Sequence, residues 1–177
     1  EDAEIIINEF LSLNKNLLAQ VGNMDQKSVD SFLTEKGINL HGKGYIYGEV
    51  GIFGAGGSNP SPFNTPIEFP EETIKELLIS GYNKIETAPF KIMICHTPPF
   101  ETKLDMLPNG AHVGSKLVRE FIEEYKPHIA VVGHIHEGKG EDYIGNTKLF
   151  NPGVFKDGGY VHISIKGSII NGSLKQI

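Results

Sequence analysis

Ile129-Ala130-Val131-Val132-Gly133-His134-Ile135-His136 is the stretch on which the reading of this chain turns. A short run of β-branched and small apolar residues reads as a buried strand, and it ends in a glycine followed by two histidines one residue apart. In an extended segment, residues i and i+2 point to the same side, so this spacing aims two neutral imidazoles at one small region. A histidine after a strand is by default an ordinary loop residue, so the weight of this pair depends on what the rest of the chain brings to it.

Working outward, Lys91-Ile92-Met93-Ile94-Cys95 is a second apolar run and ends in His96-Thr97-Pro98-Pro99. Between the two runs, Gly114-Ser115 caps a helix that continues to Tyr125, with Leu117, Val118, Phe121 and Ile122 facing inward and Pro127 enforcing its end. Strand, helix, strand is a βαβ crossover, which makes the two strands parallel and gives them a common carboxyl edge. His96 is therefore expected beside His134 and His136, on the edge where open α/β sheets place ligands. Lys103 and Asp105, in the loop that follows His96, read as water-facing residues or as contacts to an anionic substrate, and His41 and His128 read as structural or surface residues.

Upstream, a helical rhythm at Ile5, Ile6, Glu9, Phe10 and Leu13 precedes Asn16 to Val21, a strand candidate that ends in Gly22-Asn23-Met24-Asp25. A helix is expected from Gln26 to Lys36, stopped by Gly37, and an antiparallel hairpin from Ile38 to Gly54, where glycines recur. Gly56 to Pro66 has too many glycines and prolines for regular structure; it reads as a functional lid or as a mobile surface loop. A helix starts at Pro70-Glu71-Glu72-Thr73, buries Ile74, Leu77 and Leu78, and is closed by Gly81. After His136, turn signals at Gly145-Asn146, Asn151-Pro152-Gly153 and Lys166-Gly167 punctuate short strands, which read as a second, antiparallel sheet with His162 on its polar face.

The chain has 177 residues, 39% of them hydrophobic, enough for one domain with a sizeable core. Its formal net charge of −6 and the absence of a Lys/Arg run give no indication of nucleic-acid or anionic-membrane binding. Cys95, the single cysteine, sits inside an apolar run and fits a reducing compartment. With no signal-peptide pattern and no apolar run of spanning length, the expected location is cytoplasmic. The sequence opens without a methionine and inside a helical pattern, so the expectation is a single domain over residues 1–177 that is incomplete at its amino terminus.

Gly22-Asn23-Met24-Asp25, His96-Thr97-Pro98-Pro99 and Gly133-His134-Ile135-His136, in that order, resemble the motif series of the calcineurin-like metallophosphoesterases, with the likeness covering Gly22 to Gly153. The resemblance implies an αββα fold, in which mixed parallel and antiparallel sheets form a two-layer core flanked by helices. It also implies a pair of divalent metals, with Asn23, His96 and His134 binding the second and His136 binding the first. Mixed nitrogen and oxygen ligands suit Mn²⁺ foremost, or Fe²⁺, Co²⁺, Ni²⁺ or Zn²⁺. Two such ions, roughly 3.5–4 Å apart in sites of this type, activate a water and clamp the transferring phosphoryl group.

Two departures from the family pattern shape the functional expectation. The D-x-H and G-D motifs, which in the family complete the first metal site, are not found after Glu1; they are expected upstream, in a segment of roughly 30 or more residues. Met24 stands where many family phosphomonoesterases carry a histidine able to protonate the leaving oxygen, and a thioether moves no protons. A small phosphodiester is the expected substrate, with His112 a candidate substitute acid and Asp25 a candidate for orienting Asn23 or a ligand histidine. The alternatives are a phosphoesterase-like scaffold that binds without turnover, and a phosphomonoesterase or nucleotide-pyrophosphate hydrolase. The sequence leaves homo-oligomerisation open.

Overall fold

A computed structural model describes residues 2–177. The chain runs α1 (Asp2–Leu13), α2 (Lys27–Glu35), β1 (Lys43–Tyr47), β2 (Val50–Ala55), α3 (Glu71–Asn83), β3 (Phe90–Cys95), α4 (Lys116–Tyr125), β4 (Ile129–Val132), β5 (Gly140–Ile144), β6 (Thr147–Asn151), β7 (Gly159–Lys166) and β8 (Ile169–Gln176). Six strands form one mixed sheet in the order β1-β2-β3-β4-β6-β5, and β7 and β8 form a separate antiparallel ribbon. The β2–β3, β3–β4 and β4–β6 pairs are parallel, so the βαβ unit expected around α4 is present.

Register sets up the site. Ala55 lies opposite Cys95, and Cys95 opposite Val132, so Gly56, His96 and Gly133 leave the sheet side by side. Two backbone hydrogen bonds carry this alignment one residue past the ladder, from His96 N–H to the Ala55 carbonyl (3.0 Å) and from Gly133 N–H to the His96 carbonyl (3.1 Å).

One face of the sheet meets α3 and α4. Phe53, Met93, Ala130 and Leu149 pack there against Ile74, Leu78, Val118, Phe121 and Ile122, all essentially solvent-free. The side-chain hydroxyl of Ser115 accepts from Val118 N–H as the N-cap of α4, and Lys126 ends the helix in the left-handed region just before Pro127. Gly81 does not close α3 as expected; it lies inside the helix, where a Cβ would stand 2.7 Å from the Lys43 carbonyl oxygen. It is small because α3 crosses β1 with the two backbones in contact.

Two sequence expectations are corrected. The residues after His136 do not all form a second sheet: β6 inserts into the main sheet beside β4, with β5 as its outer hairpin partner. Leu149 and Phe150 are neighbours and both fully buried, the pattern of a strand covered on both faces rather than of one half-exposed. Only β7 and β8 stand apart, and they lie on the face opposite the helices, where a Cβ on Gly172 would collide with the Phe150 ring. His162 is on their exposed side, as expected. Second, Asn16 to Val21 forms no strand among the described residues: Ala19 makes an isolated bridge, exchanging hydrogen bonds with Ile38 and Leu40, and the Val21 carbonyl accepts from Gly57 N–H. An open apolar depression of about 670 Å³ separates this segment from Val50, Ile52 and Ile94 on the sheet. Its lining offers no imidazole or carboxylate. Among the described residues, no helix is long and apolar enough to cross a membrane.

Candidate metal centre

Asn23 Oδ1 lies 3.0 Å from His96 Nε2 and 3.1 Å from His134 Nδ1. Three ligand-type atoms thus converge, two from loops at the ends of β3 and β4 and one from the turn after the extended segment 16–21, and the two imidazole centroids are 5.3 Å apart. His136 lines the same depression, of about 400 Å³, together with Gly22, Met24 and Asp25. Among the described residues, no group of three or more His, Cys, Asp or Glu side chains forms a metal cage; the convergence becomes a triad because a carboxamide completes it.

The donor set fits a transition-metal ion. At metal–ligand distances of about 2.1 Å, two ligands at right angles stand about 3.0 Å apart, the separation found on both sides of Asn23 Oδ1. Without an ion, His96 Nε2–H and His134 Nδ1–H donate to that oxygen; to bind a metal, each ring would carry its proton on its other nitrogen and present the freed lone pair.

Each donor is held by its surroundings. Asn23 Nδ2 donates to Thr65 Oγ1 (3.1 Å), and Thr65 spends its single hydroxyl proton on Glu68 Oε1 (2.7 Å). That order leaves the threonine oxygen as an acceptor and turns the carboxamide so that its oxygen faces the imidazoles. Glu68 also accepts from the Thr65 N–H and from the Ser61 N–H and hydroxyl. These bonds, the two hydroxyls foremost, hold its carboxyl down at about 2, so it is ionised at any ordinary pH. Gly22 leaves room for the His96 ring: a Cβ there would be 3.1 Å from His96 Cε1.

His134 and His136 do not share an extended segment. His134 has φ of +64°, and the Ile135 N–H donates to the Gly133 carbonyl at 2.7 Å across it, a three-residue turn that is costly for a residue with a Cβ. His136 then opens a 3-10 turn, His136–Gly138. The two imidazoles still line one depression because the chain folds back between them. Buried Asn151 secures the turn, donating from Nδ2 to the Ile135 carbonyl (2.7 Å) while its Oδ1 accepts from Gly153 N–H.

Burial, and then the neighbouring His134 and His136, push His96 down to about 4. Burial and His136 lower His134 as well, against an opposing pull from Glu68. Both rings are thereby biased to the neutral form that binds metal. Cys95, fully buried, is pushed up to about 12 and is an inert core thiol.

The other candidates lie differently. Asp25 accepts from Gly22 N–H (2.7 Å) and closes the turn carrying Asn23; its hydrogen bond goes to neither Asn23 nor an imidazole. His112 Nδ1 is 2.8 Å from Asp105 Oδ1 and its ring rests edge-on near Phe100, whereas the adjoining Val113 and Gly114 line a groove beside the histidines. Asp105 faces no water. It is fully buried and accepts from the backbone of Thr102 and Gly114, so it folds the loop after His96 around itself. Lys103 is exposed and donates its N–H to Asp142. His41 accepts from Gly56 N–H and His128 from Lys91 N–H, both structural contacts.

Sequence reading passed over Thr65, Glu68 and Asn151. The signals were there in part, as an Asn-Pro-Gly turn and as a loop dense in hydroxyls with one carboxylate, but which of them touches Asn23 is a tertiary matter.

Relatives agree with this architecture. The chain is 38% identical over 146 residues to an uncharacterized protein of Methanocaldococcus jannaschii, covering 80% of this chain and 66% of that protein. It is 36% identical over 75 residues to a UPF0046 protein of Caenorhabditis elegans, 42% of this chain and 18% of that one. The chain thus spans just under two thirds of the archaeal relative and a small part of the nematode one. One crystal structure superposes with a TM-score of 0.66 at 24% identity, covering 90% of this chain and 64% of its own. That of TT1561 from Thermus thermophilus gives 0.54 at 18%, covering 82% and 62%. Both share the fold. Residues 46–173 match the metallophosphoesterase family of the calcineurin superfamily, and with that match over most of its length the chain belongs to this family.

Proposed function

We propose that the protein hydrolyses small phosphodiesters with a pair of divalent transition-metal ions, manganese(II) foremost, in a reducing, cytoplasmic setting. The observation that carries this reading is Asn23 Oδ1 shared between His96 Nε2 and His134 Nδ1. Those three residues would hold one ion, and His136 would contribute to the other. When bound, such ions supply Lewis acidity at the phosphoryl oxygens and activate the attacking water.

The chain's own part is positional. Glu68 and Thr65 fix which end of the Asn23 carboxamide faces inward, and burial keeps the two imidazoles neutral. Among the described residues, the depression is lined by no lysine or arginine, so compensation of phosphate charge falls to the ions. Met24 is 72% exposed and cannot donate a proton to a leaving oxygen there, which favours esters whose alcohol departs unaided. The resemblance to family members that lack a histidine at this position favours diesters over monoesters.

The test is hydrolysis of bis(p-nitrophenyl) phosphate against p-nitrophenyl phosphate by the full-length protein supplemented with Mn²⁺. A higher kcat/KM on the diester, lost in His134→Ala, is the expected result. Preference for the monoester would overturn the diester assignment; tight metal binding without turnover of either would identify a binding scaffold instead.

A further inference from the structure

A second depression adjoins the histidines. This groove, of about 640 Å³, shares Asn23 and His134 with the metal centre, so a ligand anchored there extends into it without a gap. Its outer walls differ in kind from the pit. Pro60, Pro62 and Phe63 come from the loop after β2, and Leu107 and Val113 from the loop that Asp105 organises. Phe63 is 82% exposed, a large aromatic ring held at a groove mouth with most of its surface in water. Among the described residues, Glu137 is the one charged residue in the lining, so an anionic group would be repelled. Asn59 ties the two loops together, donating from Nδ2 to the Val113 carbonyl (3.3 Å).

We infer that this groove seats one organic group of the phosphoester, and that the group is neutral, flat and apolar, an aryl ring or one of similar shape, with Phe63 as its main contact. The inference rests on the proposed phosphoesterase reading and adds a substrate class to it. Apolar walls and an aromatic edge favour a ring over a short alkyl chain in proportion to the surface removed from water. The lone carboxylate and the absence of cationic side chains in the described lining argue against a second phosphate or a sugar acid in this position.

The test is binding of phenylphosphonate and methylphosphonate to the Mn²⁺-loaded full-length protein by calorimetry; neither compound is hydrolysed, so turnover is not required. The expected result is binding of phenylphosphonate about tenfold tighter than methylphosphonate. Phe63→Ala should remove most of that advantage, and Leu107→Ala part of it, with methylphosphonate affinity and Mn²⁺ affinity unchanged in both. Equal affinities for the two phosphonates, or a Phe63→Ala variant that weakens both alike, would overturn the groove assignment while leaving the phosphoester reading in place. Failure of both phosphonates to bind the metal-loaded protein would overturn that reading and this inference with it.

Discussion

The two depressions that meet at Asn23 and His134 are built on opposite principles. The pit gathers imidazole and carboxamide donors, and each member of its triad is fixed by a second residue: Asn23 by Thr65, His96 by the close approach at Gly22, His134 by a tight turn secured through Asn151. The groove is apolar and rests on two long loops, with Phe63 largely free. Chemistry that must hold atoms to a few tenths of an ångström is placed on turns braced by hydrogen bonds, two of them at strand ends, and recognition that tolerates variation is placed on open loops. The pit therefore should resist substitution poorly and the groove well, and the difference can be probed one residue at a time.

The largest effect is expected at the pit. His96→Ala or His134→Ala should weaken Mn²⁺ binding by more than about 100-fold, read by calorimetry, with the circular dichroism spectrum retained. Nearly as large, but on stability, is Asp105→Ala. Removing a fully buried carboxylate that several loop N–H groups share should lower unfolding free energy by about 3 kcal/mol, measured by urea denaturation. Because that loop carries Leu107 and Val113, the variant should also lose discrimination between phosphonates while keeping its metal.

Thr65→Val is sharper. It preserves shape but removes the acceptor that orients Asn23, and should cost about tenfold in Mn²⁺ affinity; an unchanged affinity would mean the carboxamide needs no support. The smallest effect concerns pH. The Glu68 carboxyl is held below its ordinary 4.5, at about 2, so its contribution to the folded loop is full above about 4.5 and fades as pH falls toward 2. Amide protection factors at Ser61 and Thr65, whose N–H groups donate to Glu68, should be high at pH 5 and fall across that window.

Much of this was legible in the sequence because it depends on local order. Apolar runs ending in His96 and His134, joined by a helix of crossover length, force a parallel pair with their loops on one edge. What the sequence concealed was non-local. The flat run at Asn16 to Val21 has strand composition but lacks a ladder partner among the described residues beyond the one pair at Ala19. The insertion of β6 beside β4 was hidden because hairpin signals at Gly145-Asn146 fix the β5–β6 pairing but say nothing of which sheet receives it. Spacing placed His134 and His136 together for the wrong local reason, since a left-handed residue, not an extended one, brings them to one pit. Asp105 looked like a loop charge and is the buried centre of its loop, a role set by donors up to nine residues away.

The central claim is that Asn23, His96 and His134 close on one ion. An anomalous difference map from crystals of the protein grown with Mn²⁺ tests it directly. A peak within about 2.0–2.3 Å of Asn23 Oδ1, His96 Nε2 and His134 Nδ1 is expected. A map with no peak between these atoms at saturating Mn²⁺, or with the ion elsewhere and the histidines still hydrogen-bonded to Asn23, would contradict it.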